Sequence, residues 1–257
     1  MTAIDNTIYS CSMDLDVKSW TLTNTGLVHQ RTYGIPRSDR FSSLWPLCMS
    51  SCPGPERNLF ATGLSSGTIC VFDSRSRNNP ISHYRPNTSN VNKLTMNMEY
   101  ILSTSLDKTV SVWDQRAGQI MKSITFPGEA HFPTCINMRQ DLVFVGTRTW
   151  GTLRSWDFPK LHVLNAKDDF KLVKSYSTEH TKSITKVHLT HECLITSSED
   201  GTVRISSLTD PPKPIATLRS EIGGIHDMDY LNGTLAICGD DDIQVMVPEV
   251  DVFNEKQ

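Results

Sequence analysis

Residues Leu102–Asp114 read as two short apolar strands joined by a tight turn with an aspartate, and the second strand ends on Trp113 and Asp114. Further copies of this unit, most of them more degenerate, follow one another along the chain. When the copies are aligned on the tryptophan, the matching positions are Trp20, Phe72, Trp113, Trp156, Ser206 and Met246. They lie about 40 to 52 residues apart, so a unit of that length is repeated about six times.

Each repeat has room for two more strands, an inner one before the unit and an outer one after it. A single sheet of this kind cannot bury both faces, whereas a ring of sheets packed face to face buries both. The repeat length and the Trp-Asp ending are typical of WD40 blades. We therefore predict an all-β, WD40-type β-propeller that spans residues 1–257 and has about six recognisable blades of four strands.

Two parts of this alignment are irregular. The second strand of the first copy begins near Ile8, so we expect blade one to lack an inner strand. We interpret the chain as part of a seven-bladed ring truncated at the N-terminus, and an inner strand supplied by the C-terminus is the alternative. The polar segments 34–43 and 158–171 fall in the two longest intervals and are predicted to be loop insertions, and Val250–Phe253 is a candidate outer strand for the last blade.

WD blades often carry a hydrogen-bonded set made of a His before the inner strand, a Ser or Thr, the Asp of the turn and the Trp. No blade of this chain has the whole set, because no His precedes Val91 and Ser206 stands at the Trp position of blade five. Buried polar networks stabilise a fold only when their groups are paired, so these partial sets indicate a diverged propeller of moderate stability. The candidate structural residues are Asp14, Trp20, Ser103, Asp107, Trp113, Asp114, Trp156, Asp157, His180, Thr196 and Asp200.

Charge and motifs narrow the possible functions. The formal net charge is −3, which offers no basic surplus for nucleic acid. No apolar run is long enough for a membrane helix and no signal peptide is present, so we predict an intracellular protein of the cytoplasm or nucleus. Motifs for catalysis, nucleotide binding and zinc are absent, so we predict no enzymatic activity, no cofactor and no metal.

Three residues are candidates for protein binding, because they stand at loops or turns of a rigid scaffold. Trp150 occupies the Asp position of the blade-four turn, where an exposed Trp would be a binding hot spot. Arg148 precedes it and could pair with an acidic or phosphorylated peptide. Trp45 lies at the entrance to blade two. The alternatives are local packing for the two tryptophans and plain solvation for the arginine.

Three segments resemble the F-box/WD-repeat family, and the resemblance extends over most of the chain. They are Leu194–Ile215, where Thr209–Pro212 replaces the usual closing Trp-Asp, the F-K-L-V-K-S-Y segment from Phe170, and I-Y-S-C-S-M-D-L-D-V-K-S-W from Ile8. In that family the propeller holds a substrate protein, while a separate helical F-box binds the Skp1–cullin core. No F-box segment is recognisable in this sequence.

The resemblance implies a non-catalytic protein-binding module, the substrate-recognition part of an F-box-type (SCF) ubiquitin-ligase receptor. The partners would be a protein substrate or complex subunits, with Skp1 and cullin only if a longer form bears an F-box. The alternative is a WD40 scaffold protein of an unrelated multiprotein complex. Neither function involves nucleic acid or a membrane.

Overall fold

The computed structural model describes residues 1–36, 45–52, 58–76, 78–126, 131–149 and 158–247. The first three blades contain the strands β1 (Thr2–Ile4), β2 (Thr7–Cys11), β3 (Asp16–Thr23), β4 (Gly26–Gly34), β5 (Pro46–Ser51), β6 (Leu59–Leu64), β7 (Ile69–Asp73), β8 (Ser82–Tyr84), β9 (Val91–Met96), β10 (Tyr100–Ser105), β11 (Thr109–Asp114) and β12 (Gln119–Thr125). The last three contain β13 (His131–Arg139), β14 (Leu142–Thr149), β15 (Lys160–Asn165), β16 (Lys171–Ser177), β17 (Ile184–Leu189), β18 (Cys193–Ser198), β19 (Thr202–Ser207), β20 (Pro214–Arg219), β21 (Asp227–Leu231), β22 (Thr234–Cys238) and β23 (Ile243–Met246).

These strands form six consecutive antiparallel sheets, in which each strand pairs with its neighbour in sequence. Five sheets have four strands, and the sixth has three strands within the described residues. The inner strands of successive sheets pack against each other around a common axis. The one helix in the described part of the chain is a 3-10 turn at Ala166–Asp168. The chain is therefore an all-β, six-bladed β-propeller. The repeat pattern predicts the six blades, whereas the described residues form no seventh blade of the larger ring that we expected.

The register of the second and third strands places the aligned positions in equivalent sites. Trp20, Phe72, Trp113, Ser206 and Met246 lie opposite Ile8, Phe60, Ile101, Leu194 and Leu235, respectively. Each pair stands one residue from the end of its hairpin that is remote from the turn. The predicted outer strand at Val250–Phe253 lies outside the described residues.

Blade four corrects the sequence alignment. The strand that pairs with β14 is β15, in which Leu164 lies opposite Val143 and takes the place of the tryptophan. The alignment on Trp156 and Asp157 was therefore wrong, although both residues lie outside the described ones. The segment 158–171 is likewise not a loop insertion as a whole. Leu161 and Leu164 are fully buried, and this apolar run forms the strand without any Trp-Asp ending.

Blade one also differs from the prediction, because it has an inner strand. The strand β1 pairs with β2 through Thr2 and Tyr9, Ala3 and Ile8, and Ile4 and Thr7. The chain reverses within the two residues Asp5 and Asn6, with Asp5 at a positive φ of 50°. The expectation failed because it assumed a longer strand and a longer connection.

The core lies between the blades rather than within them. Each hydrophobic cluster combines one face of a blade with the facing side of the next, as Ile69 and Val71 of blade two do with Val91 of blade three. The approach is close at Gly63, where an added Cβ would lie 2.5 Å from a side-chain carbon of Val91. Glycine permits this contact because it has no side chain.

Burial is unequal along the ring. Five consecutive residues are buried in the second strands β6, β10 and β18 of blades two, three and five. In β22 of blade six buried and partly buried residues alternate, and in β2 of blade one only Tyr9 is buried. One face of each terminal blade is therefore only partly covered.

Candidate protein-binding face

A buried hydrogen-bond network fixes one end of blade five. The His180 ring is fully buried, with Nδ1 3.0 Å from Oδ2 of Asp200 and Nε2 2.9 Å from the hydroxyl of Thr196. The backbone N–H of Thr181 donates to the same carboxylate at 2.9 Å, and the Thr202 hydroxyl donates to its other oxygen at 2.6 Å. The network joins the loop that enters the blade to the turn between its second and third strands.

The same network lowers the pKa of Asp200. Burial alone would raise the pKa of this carboxyl, but hydrogen bonds from His180 and Thr202 outweigh it and hold the pKa well below its ordinary value. The carboxylate is thus charged at neutral pH and accepts all of these bonds. This set corresponds to the predicted residues of blade five.

Blade three builds an equivalent network with Asn87 in place of the histidine. Asn87 is 2% exposed and its amide donates to Thr109 at 3.0 Å and Ser111 at 3.1 Å, while it accepts from Ser103 at 2.7 Å. The carboxylate of Asp107 accepts from the backbone N–H of Thr88 at 2.6 Å.

Sequence reasoning missed Asn87, because it searched for histidine alone. The signal was present in the spacing: Asn87 stands four residues before Val91, as His180 stands four residues before Ile184. Asparagine can replace the ring because its amide both donates and accepts.

The other predicted motif residues that the structure describes make separate contacts and do not share one network. The Trp20 indole donates to the Ser10 hydroxyl at 2.8 Å, whereas Asp14 lies exposed in its turn and pairs with Lys18. Trp113 stacks on Tyr84 with 3.6 Å between ring centroids. Asp114 accepts from the backbone N–H groups of the next turn, residues 116 and 117, each at 2.8 Å.

The bond between Thr88 and Asp107 shows that entry loops and second-to-third-strand turns share one end of the propeller. Trp45 lies at that end, directly before β5, and is 41% exposed. Its backbone is held at two points, because its N–H donates to the Ser65 hydroxyl at 3.1 Å and its carbonyl accepts from the Ser65 N–H at 2.8 Å. The exposed indole is therefore mounted on a fixed backbone.

An aromatic ring with two cations lies at the same end, between blades three and four. The Lys108 ammonium is 4.9 Å from the centroid of the Phe132 ring, and the Arg148 guanidinium carbon is 5.7 Å from it. Arg148 also stands opposite Phe132 in the strand register. Cation–π attraction holds both positive charges beside the ring. Trp150 lies outside the described residues.

A charged cluster lies on the inner strands and was not foreseen from the sequence. Lys93 of blade three and Lys186 of blade five both reach the carboxylate of Asp227 in blade six, at 2.6 and 3.1 Å. Burial works against the charges of Lys93 and Asp227, but the attraction between them and the attraction of Lys186 for Asp227 prevail, so the pKa of Lys93 is raised and that of Asp227 is lowered.

The described residues were found to form neither a metal site nor a membrane-spanning helix. In these ranges no group of three or more His, Cys, Asp or Glu side chains is placed to hold a metal ion. The acidic turn at Asp240 has one partner for its first carboxylate, the ring of His226 at 2.6 Å. No helix in the described part of the chain is long and apolar enough to cross a bilayer.

Comparison with known families agrees with this geometry. A family model described as WD domain, G-beta repeat, matches residues 78–114 and 170–205. The chain therefore contains WD40 repeats in these two segments. WD40 propellers generally serve as non-catalytic interaction modules.

Among curated proteins, the chain is homologous to F-box/WD repeat-containing protein 9. The human protein is 25% identical over 248 residues, which cover 96% of this chain and 48% of the relative. The bovine protein is 26% identical over 84% of this chain and 42% of its own length. The chain thus spans about half the length of these relatives.

Solved structures support the fold alone. A chain in the crystal structure of the mitotic checkpoint complex matches with a TM-score of 0.74 at 15% identity, covering 93% of this chain and 70% of the other. The computationally designed Ika8 protein matches with a TM-score of 0.67 at 19% identity, covering 95% and 68%.

Proposed function

We propose that this chain is a protein-binding module and that its partner binds the end of the propeller that carries Trp45, Phe132 and Arg148. The finer proposal is that the module recognises the substrate of an F-box-type ubiquitin ligase. Homology to F-box/WD repeat-containing protein 9 along 96% of the chain supports this role.

The observation that carries the binding site is the exposed, fixed tryptophan. Trp45 keeps 41% of its surface accessible while Ser65 restrains its backbone on both sides. Tryptophan and arginine are enriched among the residues that dominate binding energy, and a restrained anchor loses little entropy on binding.

The positive charges beside Phe132 favour an acidic partner segment at this site. Two cations, Lys108 and Arg148, flank the Phe132 ring. An acidic segment of a partner protein would gain charge-assisted hydrogen bonds from Arg148. Trp150, which follows it by two residues, is proposed as a further contact.

A truncation series on Trp45 tests the binding face. Tagged chain, Trp45→Ala and Arg148→Ala are expressed in cells, and the recovered proteins are quantified by mass spectrometry. We expect the recovered amount of a specific partner to be about tenfold lower, or lower still, with Trp45→Ala. Leu142→Ala is the matched control, because Leu142 is also 41% exposed but begins β14 at the opposite end of the blade. If neither Trp45→Ala nor Arg148→Ala changes the set of recovered proteins, the proposed binding face is refuted.

The half-life of the partner separates the two candidate roles. A ligase substrate is expected to persist longer in cells that express the Trp45→Ala variant, whereas a subunit of an unrelated complex keeps its half-life. Skp1 and cullin are expected only with a longer form that bears an F-box. Recovery of a partner without Skp1 from cells that express such a form favours the scaffold alternative.

A further inference from the structure

The hairpin that joins β21 to β22 turns within two residues, Asn232 and Gly233. Leu231 and Thr234 are paired on either side of the turn. The φ angles of Asn232 and Gly233 are 49° and 87°. Two successive positive φ angles are typical of a type I′ turn, for which Asn-Gly is a preferred pair. The turn lies in water, because Asn232 is exposed and Leu231 is 71% exposed.

The pair that suits this turn is also chemically reactive. The backbone nitrogen of Gly233 follows Asn232 directly, and glycine has no side chain to hinder its approach to the side-chain amide. When this nitrogen loses its proton to a base in the solvent, it attacks the Cγ atom of Asn232. A nitrogen–carbon bond forms, the side-chain amide leaves as ammonia, and a five-membered succinimide ring closes. Water then opens either carbonyl of the ring and leaves aspartate or isoaspartate.

Other asparagines of the chain lack this combination. No other asparagine of the sequence is followed by glycine. Asn6 and Asn24 are also exposed in turns, but each precedes a threonine, whose branched side chain crowds the backbone nitrogen. Asn87 also precedes a threonine and is 2% exposed, with its amide bound to Thr109 and Ser111.

We propose that Asn232 is a site of spontaneous deamidation, with water as the only co-reactant. One water is consumed and one ammonia is released, so the reaction needs neither an oxidant nor an enzyme. The paired strands restrain the turn and slow ring closure, so the reaction proceeds when the hairpin opens locally.

The two products should affect blade six differently. Aspartate keeps the backbone and adds one negative charge, whereas isoaspartate adds one carbon atom to the main chain inside a two-residue turn. Leu231 and Thr234 cannot then keep their present register. The strands on either side bury Met228 and Leu235 in a cluster with residues of blade five. We therefore expect isoaspartate to loosen this cluster and to speed amide exchange in β22.

Prolonged incubation of the full chain tests the proposal. Mass spectrometry of its peptides follows the conversion of each asparagine to the acid, and fragmentation by electron transfer distinguishes isoaspartate from aspartate. We expect residue 232 to react about tenfold faster than Asn6 and Asn24, or faster still. The rate should rise with pH, because the attacking nitrogen must lose its proton. Equal rates at the three asparagines would overturn the proposal.

Two variants separate the chemistry from the place in the fold. Thr25→Gly puts a glycine after Asn24, in the exposed turn between β3 and β4, and should raise the rate at Asn24 by about tenfold. Asn232→Ser removes the amide and should reduce the ammonia that the chain releases to the background of its other amides. An Asn24 that stays unreactive in Thr25→Gly, or an ammonia release that is unchanged in Asn232→Ser, would overturn the proposal.

Discussion

Blades two to five and blades one and six share one repeat but differ in how they are packed. In the interior blades the second strand is buried on both faces, so even its hydroxyl-bearing residues are enclosed. In the terminal blades the same strand is buried on one face, with Tyr9 in blade one and Leu235 and Ile237 in blade six. The same local sequence pattern therefore carries a different share of the stability in the two settings.

The comparison also explains where the polar networks stand. The buried sets around Asn87 and His180 belong to interior blades, where an unpaired polar group would be costly. In blade one the corresponding turn aspartate, Asp14, is exposed and bonds to Lys18 and its own turn. Removal of matched residues from the two kinds of blade should separate these effects.

The largest difference is expected for two isoleucines in the same strand position. Ile69→Ala in blade two removes methyl groups from a buried cluster and should lower the free energy of unfolding by about 2–5 kcal/mol. Ile243→Ala in blade six should change it by less than about 0.5 kcal/mol, because the side chain is 74% exposed. Urea denaturation of both variants measures the difference. Equal losses would show that the face of Ile243 is covered in solution.

A buried histidine of blade four should make stability depend on pH. Burial, with the nearby His131 and Lys160, lowers the pKa of His162 to about 4, and its ring stacks on Phe126 at 4.3 Å. The unfolded chain binds this proton at about pH 6.5, so stability should fall as the pH drops from about 6.5 to 4, by up to roughly 3 kcal/mol.

Denaturation at several pH values checks this slope. His162→Gln should flatten it, although the variant also loses the bond to the Ser175 hydroxyl at 2.7 Å. His29→Gln, on the exposed outer strand of blade one, is the matched control and should leave the slope unchanged. An unaltered slope in His162→Gln would show that other groups cause it.

The smallest of the three effects concerns the turn aspartates. Asp200→Ala in blade five deprives His180, Thr181 and Thr202 of their shared acceptor and should cost about 2 kcal/mol. Asp14→Ala in blade one should cost little, because its bonds are exposed to water. Thermal melts of the two variants compare them, and a larger loss for Asp14→Ala would contradict the ranking.

Much of the fold could be predicted because strand, turn and strand recur with a constant register. The third strand of blade four was assigned wrongly because Trp156 and Asp157 match the Trp-Asp motif in sequence. The strand that pairs with β14 lies around Leu164 and has only an apolar pattern. The inner strand of blade one was not predicted because it has three residues, too few to show an alternation of apolar and polar side chains.

The candidate site could be predicted only in part. The repeat pattern identifies Trp45, directly before β5, and Arg148, which lies near the end of the strand β14 rather than in a loop. Phe132 and Lys108 meet through the packing of two blades. The meeting of Lys93 and Lys186 with Asp227 depends on the curvature of the whole ring. No local pattern encodes such a contact, because its members lie on three different blades.

That lysine and aspartate cluster also bears on the order in which the chain matures. Asp227 follows Lys93 by 134 residues, so two inward ammonium groups on blades three and five await their counter-ion until blade six has been synthesised. Burial of an uncompensated charge is costly, so these ammonium groups favour hydration until Asp227 is present. The partial neutralisation of these two ammonium groups by Asp227 therefore comes after the synthesis of blades three to five.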